Sequence, residues 1–179
     1  KNIVKDLNFR SAFIKVSKLH EEKVEHPKLI ELQKIIEKEV KENAGNKIIV
    51  FNQYRDNAVD IVEKLNAIPN VRAQLFVGQM KKNETGLSQK EQKAILYNFR
   101  AGLFNVLVAT SIAEQGLDIP EVDTVVFYEP IPSEIRQIQR RGRTGRHGEG
   151  KVIVLMTKST MDEAYRWSAF HKEKRMYRN

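Results

Sequence analysis

Lys47-Ile-Ile-Val-Phe51 is the stretch on which the fold turns. Four consecutive apolar residues, three of them β-branched, suit a strand covered on both faces better than a half-exposed one, which would alternate polar and apolar. Four further runs read the same way: Ala73-Gln-Leu-Phe-Val77, Asn105-Val-Leu-Val-Ala109, Thr124-Val-Val-Phe-Tyr128 and Lys151-Val-Ile-Val-Leu-Met156. Helical stripes separate them. Leu29, Leu32, Ile36 and Val40 precede the first run, and Ala58, Ile61, Val62 and Leu65 follow it. Ser88, with Glu91 three residues on, has the spacing of a capping box opening a helix that Gly102 can stop after Ala101. The alternation predicts one doubly wound α/β domain with a mostly parallel sheet between helices. Ligands of such sheets bind outside the carboxyl ends of the strands. The chemistry is therefore expected in 52–55, 78–79, 110–118, 129–132 and 157–160.

Residues 1–25 differ. Leu7, Phe9, Phe13, Ile14, Val16 and Leu19 give a helical composition, and no strand follows until after Pro27. They read as the end of a preceding helical element, docked on the domain or poorly anchored. Residues 79–86 are polar and loop-like.

The 179 residues are 41% hydrophobic and 30% charged, enough for a cored domain and too apolar for a disordered chain. With no Cys, disulfides, thiolate metal sites and Cys nucleophiles are excluded. Four scattered His argue against a zinc enzyme. No apolar run approaches the roughly 18–20 residues of a membrane span. The chain opens on Lys1 without an apolar leader, so we expect a piece of a larger intracellular protein, cytoplasmic in a prokaryote and nuclear in a eukaryote. Net charge is +8. Residues 134–179 hold 12 basic and 5 acidic residues, whereas 42–133 carry a net −2. A solvated basic surface would explain the total; the asymmetry points to a polyanion.

Two segments imitate phosphate chemistry. Gly145-Arg-His-Gly-Glu-Gly-Lys151-Val152 approaches a phosphate loop, but Val152 has no hydroxyl for Mg²⁺ and the segment enters a strand instead of leaving one. Asp162-Glu-Ala-Tyr165 resembles an acidic metal box, but it follows Thr160 at cap spacing, where acids suit a first helical turn. No metal site is expected in this chain, and no unaided nucleotide hydrolysis.

Gln139-Arg-Arg-Gly-Arg-Thr-Gly-Arg146 carries the strongest signal. On a helix, Gln139, Arg143 and Arg146 at i, i+4 and i+7 share a face. Guanidinium forks match phosphate oxygens, and four arginines within seven residues repel one another unless an anion joins them. Thr110-Ser-Ile-Ala-Glu-Gln-Gly116-Leu-Asp118 follows a strand directly. Its hydroxyls, beside backbone N–H groups expected to be free, suit a sugar-phosphate backbone. Gly116 permits a turn, and Asp118 suits a ribose hydroxyl or an Arg; an Asx-type turn into Pro120 explains the same residues without a ligand.

Ile48-Ile-Val-Phe-Asn-Gln-Tyr-Arg55, Val106 to Ile119, and Gln139 to Arg146 occur in the order of motifs IV, V and VI of superfamily 2 helicases. The chain resembles the second RecA-like lobe of that class over residues 26–170. His26-Pro-Lys-Leu29, Phe76-Val-Gly-Gln79 and Leu87 to Gln92 look like the Hef/FANCM/Mph1 branch of DNA-repair helicases. The resemblance implies a RecA-like three-layer sandwich over 26–179, with 1–25 the last helix of an inserted domain. It implies Arg146 as arginine finger, Arg143 as its companion on the ATP phosphates, and Gln139 near the γ-phosphate. Gly116 and Asp118 would face the nucleotide, while Gln53, Arg55, Gly78, Gln79, Thr110 and Ser111 would face nucleic acid. ATP and Mg²⁺ would be held mainly by a first lobe outside this chain, whose partners would be that N-terminal lobe and branched or forked DNA. An RNA helicase lobe of the RIG-I/Dicer type and a non-enzymatic nucleic-acid-binding module are the alternatives.

Overall fold

The structure is a computed structural model that describes residues 3–21, 25–78, 87–110, 120–130, 150–160 and 162–163. After a short turn at Ile3–Lys5 come α1 (Leu7–Glu21), α2 (Pro27–Glu42), β1 (Ile48–Phe51), α3 (Arg55–Asn66), β2 (Ala73–Phe76), α4 (Gln89–Arg100), β3 (Val106–Ala109), β4 (Thr124–Phe127) and β5 (Lys151–Val154). The five strands form one sheet in the order β2-β3-β1-β4-β5, every neighbouring pair parallel. Residues Phe76, Ala109, Phe51, Phe127 and Val154 close the strands in a single row. All five exits therefore reach the same edge.

Strand periodicity divides the core. Ile48 and Val50, with Val106, Val108 and Val126, pack under Leu32 and Ile36 of α2 and Ala58, Ile61 and Leu65 of α3. Ile49, Phe51, Leu107, Val125 and Phe127 face the other way, toward Leu96 and Phe99 of α4. Phe51 and Phe127 stack across neighbouring strands with ring centroids 5.3 Å apart. This is the expected helix–sheet–helix sandwich. Each of the five runs is a strand, though one or two residues shorter than its apolar run. The residues just past the ends still extend the ladder: Thr110 N–H donates to Phe76 C=O, Asn52 to Ala109, Tyr128 to Phe51 and Leu155 to Phe127, at 2.8–3.1 Å.

Local signals set the helix ends. The Ser88 hydroxyl accepts from Glu91 N–H at 3.3 Å, and the Glu91 carboxylate accepts from Ser88 N–H at 2.7 Å. α4 stops where Gly102 turns to φ +83°. α2 opens on Pro27, which needs no amide partner, and on His26, whose Nδ1 accepts from Lys28 N–H at 3.2 Å. At the edge strand β2, the Asn66 side chain donates to and accepts from the backbone of Ala73, standing in for a missing neighbour.

α1 is helical, capped by the Asp6 carboxylate, which accepts from Asn8 and Phe9 N–H. Leu7, Phe13, Ile14 and Val16 are each more than 60% exposed, and none joins either half of the core. No described helix is long and apolar enough to cross a membrane.

Candidate nucleic-acid interface

Because the sheet is parallel with order β2-β3-β1, the loops after those strands lie side by side. Gly78 follows β2, Thr110 follows β3, and Gln53 and Arg55 follow β1. These are the described members of the sequence-predicted nucleic-acid set, and the fold brings them to one stretch of the carboxyl edge. Gln79, Ser111, Gly116, Asp118, Gln139, Arg143 and Arg146 lie outside the described residues.

Gln53, Tyr54 and Arg55 are all exposed. Arg55 is the first residue of α3, where a cation sits against the positive end of the helix dipole. Tyr54 occupies the cap position yet supplies no side-chain hydrogen bond to the first turn. A guanidinium beside uncapped helix N–H groups favours an anion, since both would donate to it. Tyr54, 58% exposed, adds an aromatic face between them that the sequence reading passed over.

One expected donor is otherwise engaged. Thr110 N–H is not free for a phosphate, because it continues the β2–β3 ladder onto Phe76 C=O. Only the hydroxyl of half-buried Thr110 remains for a ligand. Gly78 C=O accepts from Leu87 N–H at 3.3 Å, and the buried Gln92 amide of α4 donates to Val77 C=O at 3.0 Å, which fixes the backbone at the β2 exit.

Beyond β1, the edge changes character. A cleft of about 790 Å³ opens between the start of α2, α3 and the exits of β4 and β5. Asp60, Glu63, Glu129 and Asp162 line it, with Lys28 and Lys64 as cations. Lys64 pairs with Glu25, and Lys28 pairs with Asp162. Lys28 Nζ also donates to Tyr128 C=O at 3.1 Å and lies 5.6 Å from the Tyr128 ring centroid. Among its described lining residues the acids outnumber the cations and both lysines are paired, so these side chains disfavour a phosphate, and the β2-β3-β1 stretch is the anion-compatible part of the described edge. Burial alone would raise the Asp162 carboxyl; the Lys28 ammonium and Thr157 N–H outweigh it and hold the group below its ordinary range. Burial pushes the Glu129 carboxyl up, against Gln53 N–H and Lys28, and burial with nearby Glu129 raises the Tyr128 hydroxyl to about 12.

Of the two segments that imitate phosphate chemistry, the described residues have partners within the fold. Lys151 opens β5, and its Nζ pairs with Glu39 at 2.9 Å and Glu42 at 3.2 Å. Asp162 belongs to the Lys28 pair, and its N–H donates to the Thr160 hydroxyl at 3.3 Å. Among the described residues, no group of three or more His, Asp or Glu could hold a metal ion. The Lys28–Asp162 pair, spanning most of the chain, had no signal in the sequence.

Comparison with known proteins gives the site its context. Residues 27–148 match the helicase conserved C-terminal domain. A putative ATP-dependent RNA helicase, MJ1505 of Methanocaldococcus jannaschii, is 46% identical over 99% of this chain and 22% of its own length. The ATP-dependent DNA helicase MPH1 of Pyricularia oryzae is 46% identical over 69% of this chain and 11% of its own. The chain thus spans between a tenth and a quarter of these relatives. The crystal structure of the Pyrococcus furiosus Hef helicase domain superposes with a TM-score of 0.72 at 50% identity, covering 93% of this chain and 33% of that one. The C-terminal domain of the DEAD-box protein Dbp5, 23% identical with a TM-score of 0.59, shares the fold. A parallel sheet with its nucleic-acid candidates gathered on one edge, and a family match across most of its length, lead to one assignment: the chain belongs to the helicase conserved C-terminal domain family and, within it, resembles the Hef, Mph1 and FANCM helicases.

Proposed function

We propose that this chain is the second motor lobe of an ATP-dependent DNA helicase or translocase that acts on branched DNA, as at stalled forks. The observation that carries the reading is the convergence of Gly78, Thr110, Gln53 and Arg55 on three adjacent parallel strands, with Arg55 at an uncapped helix start. That row can follow a sugar-phosphate backbone without reading bases, which is what a motor needs for sequence-tolerant grip. Gln79 and Ser111 extend the same two loops in sequence.

The nucleotide side rests on Gly116, Asp118, Gln139, Arg143 and Arg146. Transfer of a phosphoryl group spreads negative charge over its oxygens, so electrostatic stabilisation does most of the work. Arg146 supplies a guanidinium from across the cleft between lobes, Arg143 holds neighbouring phosphate oxygens, and Gln139 orients the reacting end. Asp118 accepts from the ribose, and Gly116 keeps the backbone clear of it. Bound ATP with Mg²⁺ supplies the reactive phosphoanhydride, held mainly by the first lobe. Closure on nucleotide and opening after hydrolysis alternate the grip. Without that lobe, the chain alone turns over no ATP.

In the full-length protein, Arg146→Ala should lower ATPase turnover by about 10³-fold or more while DNA binding persists. ATPase assays beside a binding isotherm decide this, and undiminished turnover would remove Arg146 from the role. The name of the Methanocaldococcus relative favours RNA as a second reading. Comparing stimulation by forked DNA with that by double-stranded RNA separates them, because only RNA offers 2′-hydroxyl contacts.

A further inference from the structure

We propose that Glu129 is a positioning residue for the nucleic-acid grip: from the exit of β4 its carboxylate holds the 52–55 turn in the shape that presents Gln53 and Arg55 at the sheet edge. This rests on the reading that Gln53 and Arg55 meet nucleic acid. The chain must leave β1 after Phe51 and enter α3 at Arg55, with only three residues between. Asn52 N–H still has a strand partner, Ala109 C=O, but Gln53 and Tyr54 N–H have passed the ladder. Side chains take them over. Glu129 Oε2 accepts from Gln53 N–H at 2.9 Å, and Asn52 Oδ1 accepts from Tyr54 N–H at 2.8 Å. Asn52 Nδ2 points back to Glu129 Oε1 at 3.4 Å. One carboxylate thus holds the turn directly and through buried Asn52, while Tyr54 contributes no cap of its own.

A carboxylate is a costly way to satisfy two neutral donors in a half-buried place. The adjacent cation, Lys28, is already committed to Asp162 and Tyr128 C=O. Glu129 is nonetheless the group that fits: two acceptor oxygens on an arm rooted two residues past the neighbouring strand, so the turn is fixed to the β4 exit as well as to its own strand.

The test is DNA-stimulated ATPase activity of the full-length protein with a single-stranded oligonucleotide. Glu129→Gln keeps shape but loses one acceptor, turning an NH₂ group toward a donor. It should raise the DNA concentration for half-maximal turnover about 5- to 10-fold, the scale of one ordinary hydrogen bond, while the maximal rate and the KM for ATP stay within about twofold. Glu129→Asp keeps the charge but withdraws it from both donors, and should shift the DNA term in the same direction. On an Arg55→Ala background, Glu129→Gln should add less than about twofold, because its effect runs through that turn. A half-maximal concentration that does not move in either variant, a parallel fall in maximal rate, or full additivity with Arg55→Ala overturns the assignment. A wild-type ATPase indifferent to DNA overturns the proposed function and this assignment together; a responsive wild type with unshifted variants overturns this assignment alone.

Discussion

Lys28 shows how a single side chain can tie the carboxyl edge together. From the first turn of α2 it reaches Asp162 beyond β5 and Tyr128 C=O at the exit of β4. Both charged side chains are largely out of water, at 10% and 16% exposure, so removing one strands the other. Lys28→Met should therefore destabilise the fold by about 3 kcal/mol, measured by urea unfolding. Adding Asp162→Leu should recover much of the loss. The sign of the pH dependence follows from Asp162. Its folded carboxyl lies below its unfolded value, so the stabilisation is present above the ordinary Asp range and is lost as pH falls through the folded value. The gap in stability between wild type and Lys28→Met should accordingly close on acidification. A gap constant with pH would mean that Lys28 acts by packing alone.

Elements here end by local rules, and those rules were readable. The Ser88/Glu91 box opens α4, and Gly102 closes it at φ +83°. Nothing lies within 4 Å of a β-carbon built on Gly102, so Gly102→Ala tests backbone conformation without steric conflict. It should cost about 1 kcal/mol, seen as a lower thermal midpoint. An unchanged midpoint would show that the turn relaxes to negative φ. α2 is held differently. Buried Glu39 accepts from the Thr124 hydroxyl at 2.7 Å and from Lys151 at 2.9 Å, joining the helix to β4 and β5. Each strand's apolar run announced the strand, and helical spacing puts Glu39 beside Ile36 and Val40, but no local rule names Thr124 and Lys151 as its partners.

For the whole molecule, charge and topology act together. The basic excess lies mainly in residues 134–179, while the described edge is divided into an anion-compatible stretch over β2-β3-β1 and an acid-lined cleft beside it. Binding through phosphates releases counterions, so the logarithm of DNA affinity of the full-length protein should fall linearly with the logarithm of salt concentration. Arg55→Ala should reduce that slope by about one and weaken all sequences alike. Titrations of two unrelated oligonucleotides across a salt series check both points, and an unchanged slope would take Arg55 off the phosphate backbone.

What the sequence determined by itself was whatever depends on near neighbours along the chain: apolar runs become strands, a Ser–Glu spacing becomes a capped helix, and Lys151 opens a strand. The motif order pointed to the helicase family, which the domain match bears out. The tertiary structure decided what depends on crossovers. Strand order placed Gly78, Thr110 and Arg55 side by side, closed the ladder over Thr110 N–H, and delivered Asp162 to Lys28 and Glu129 to Gln53 N–H. Those pairs are separated by 76 residues or more in sequence. A polar residue's partner at that distance is fixed by which strands lie adjacent, and one-dimensional spacing carries no trace of it.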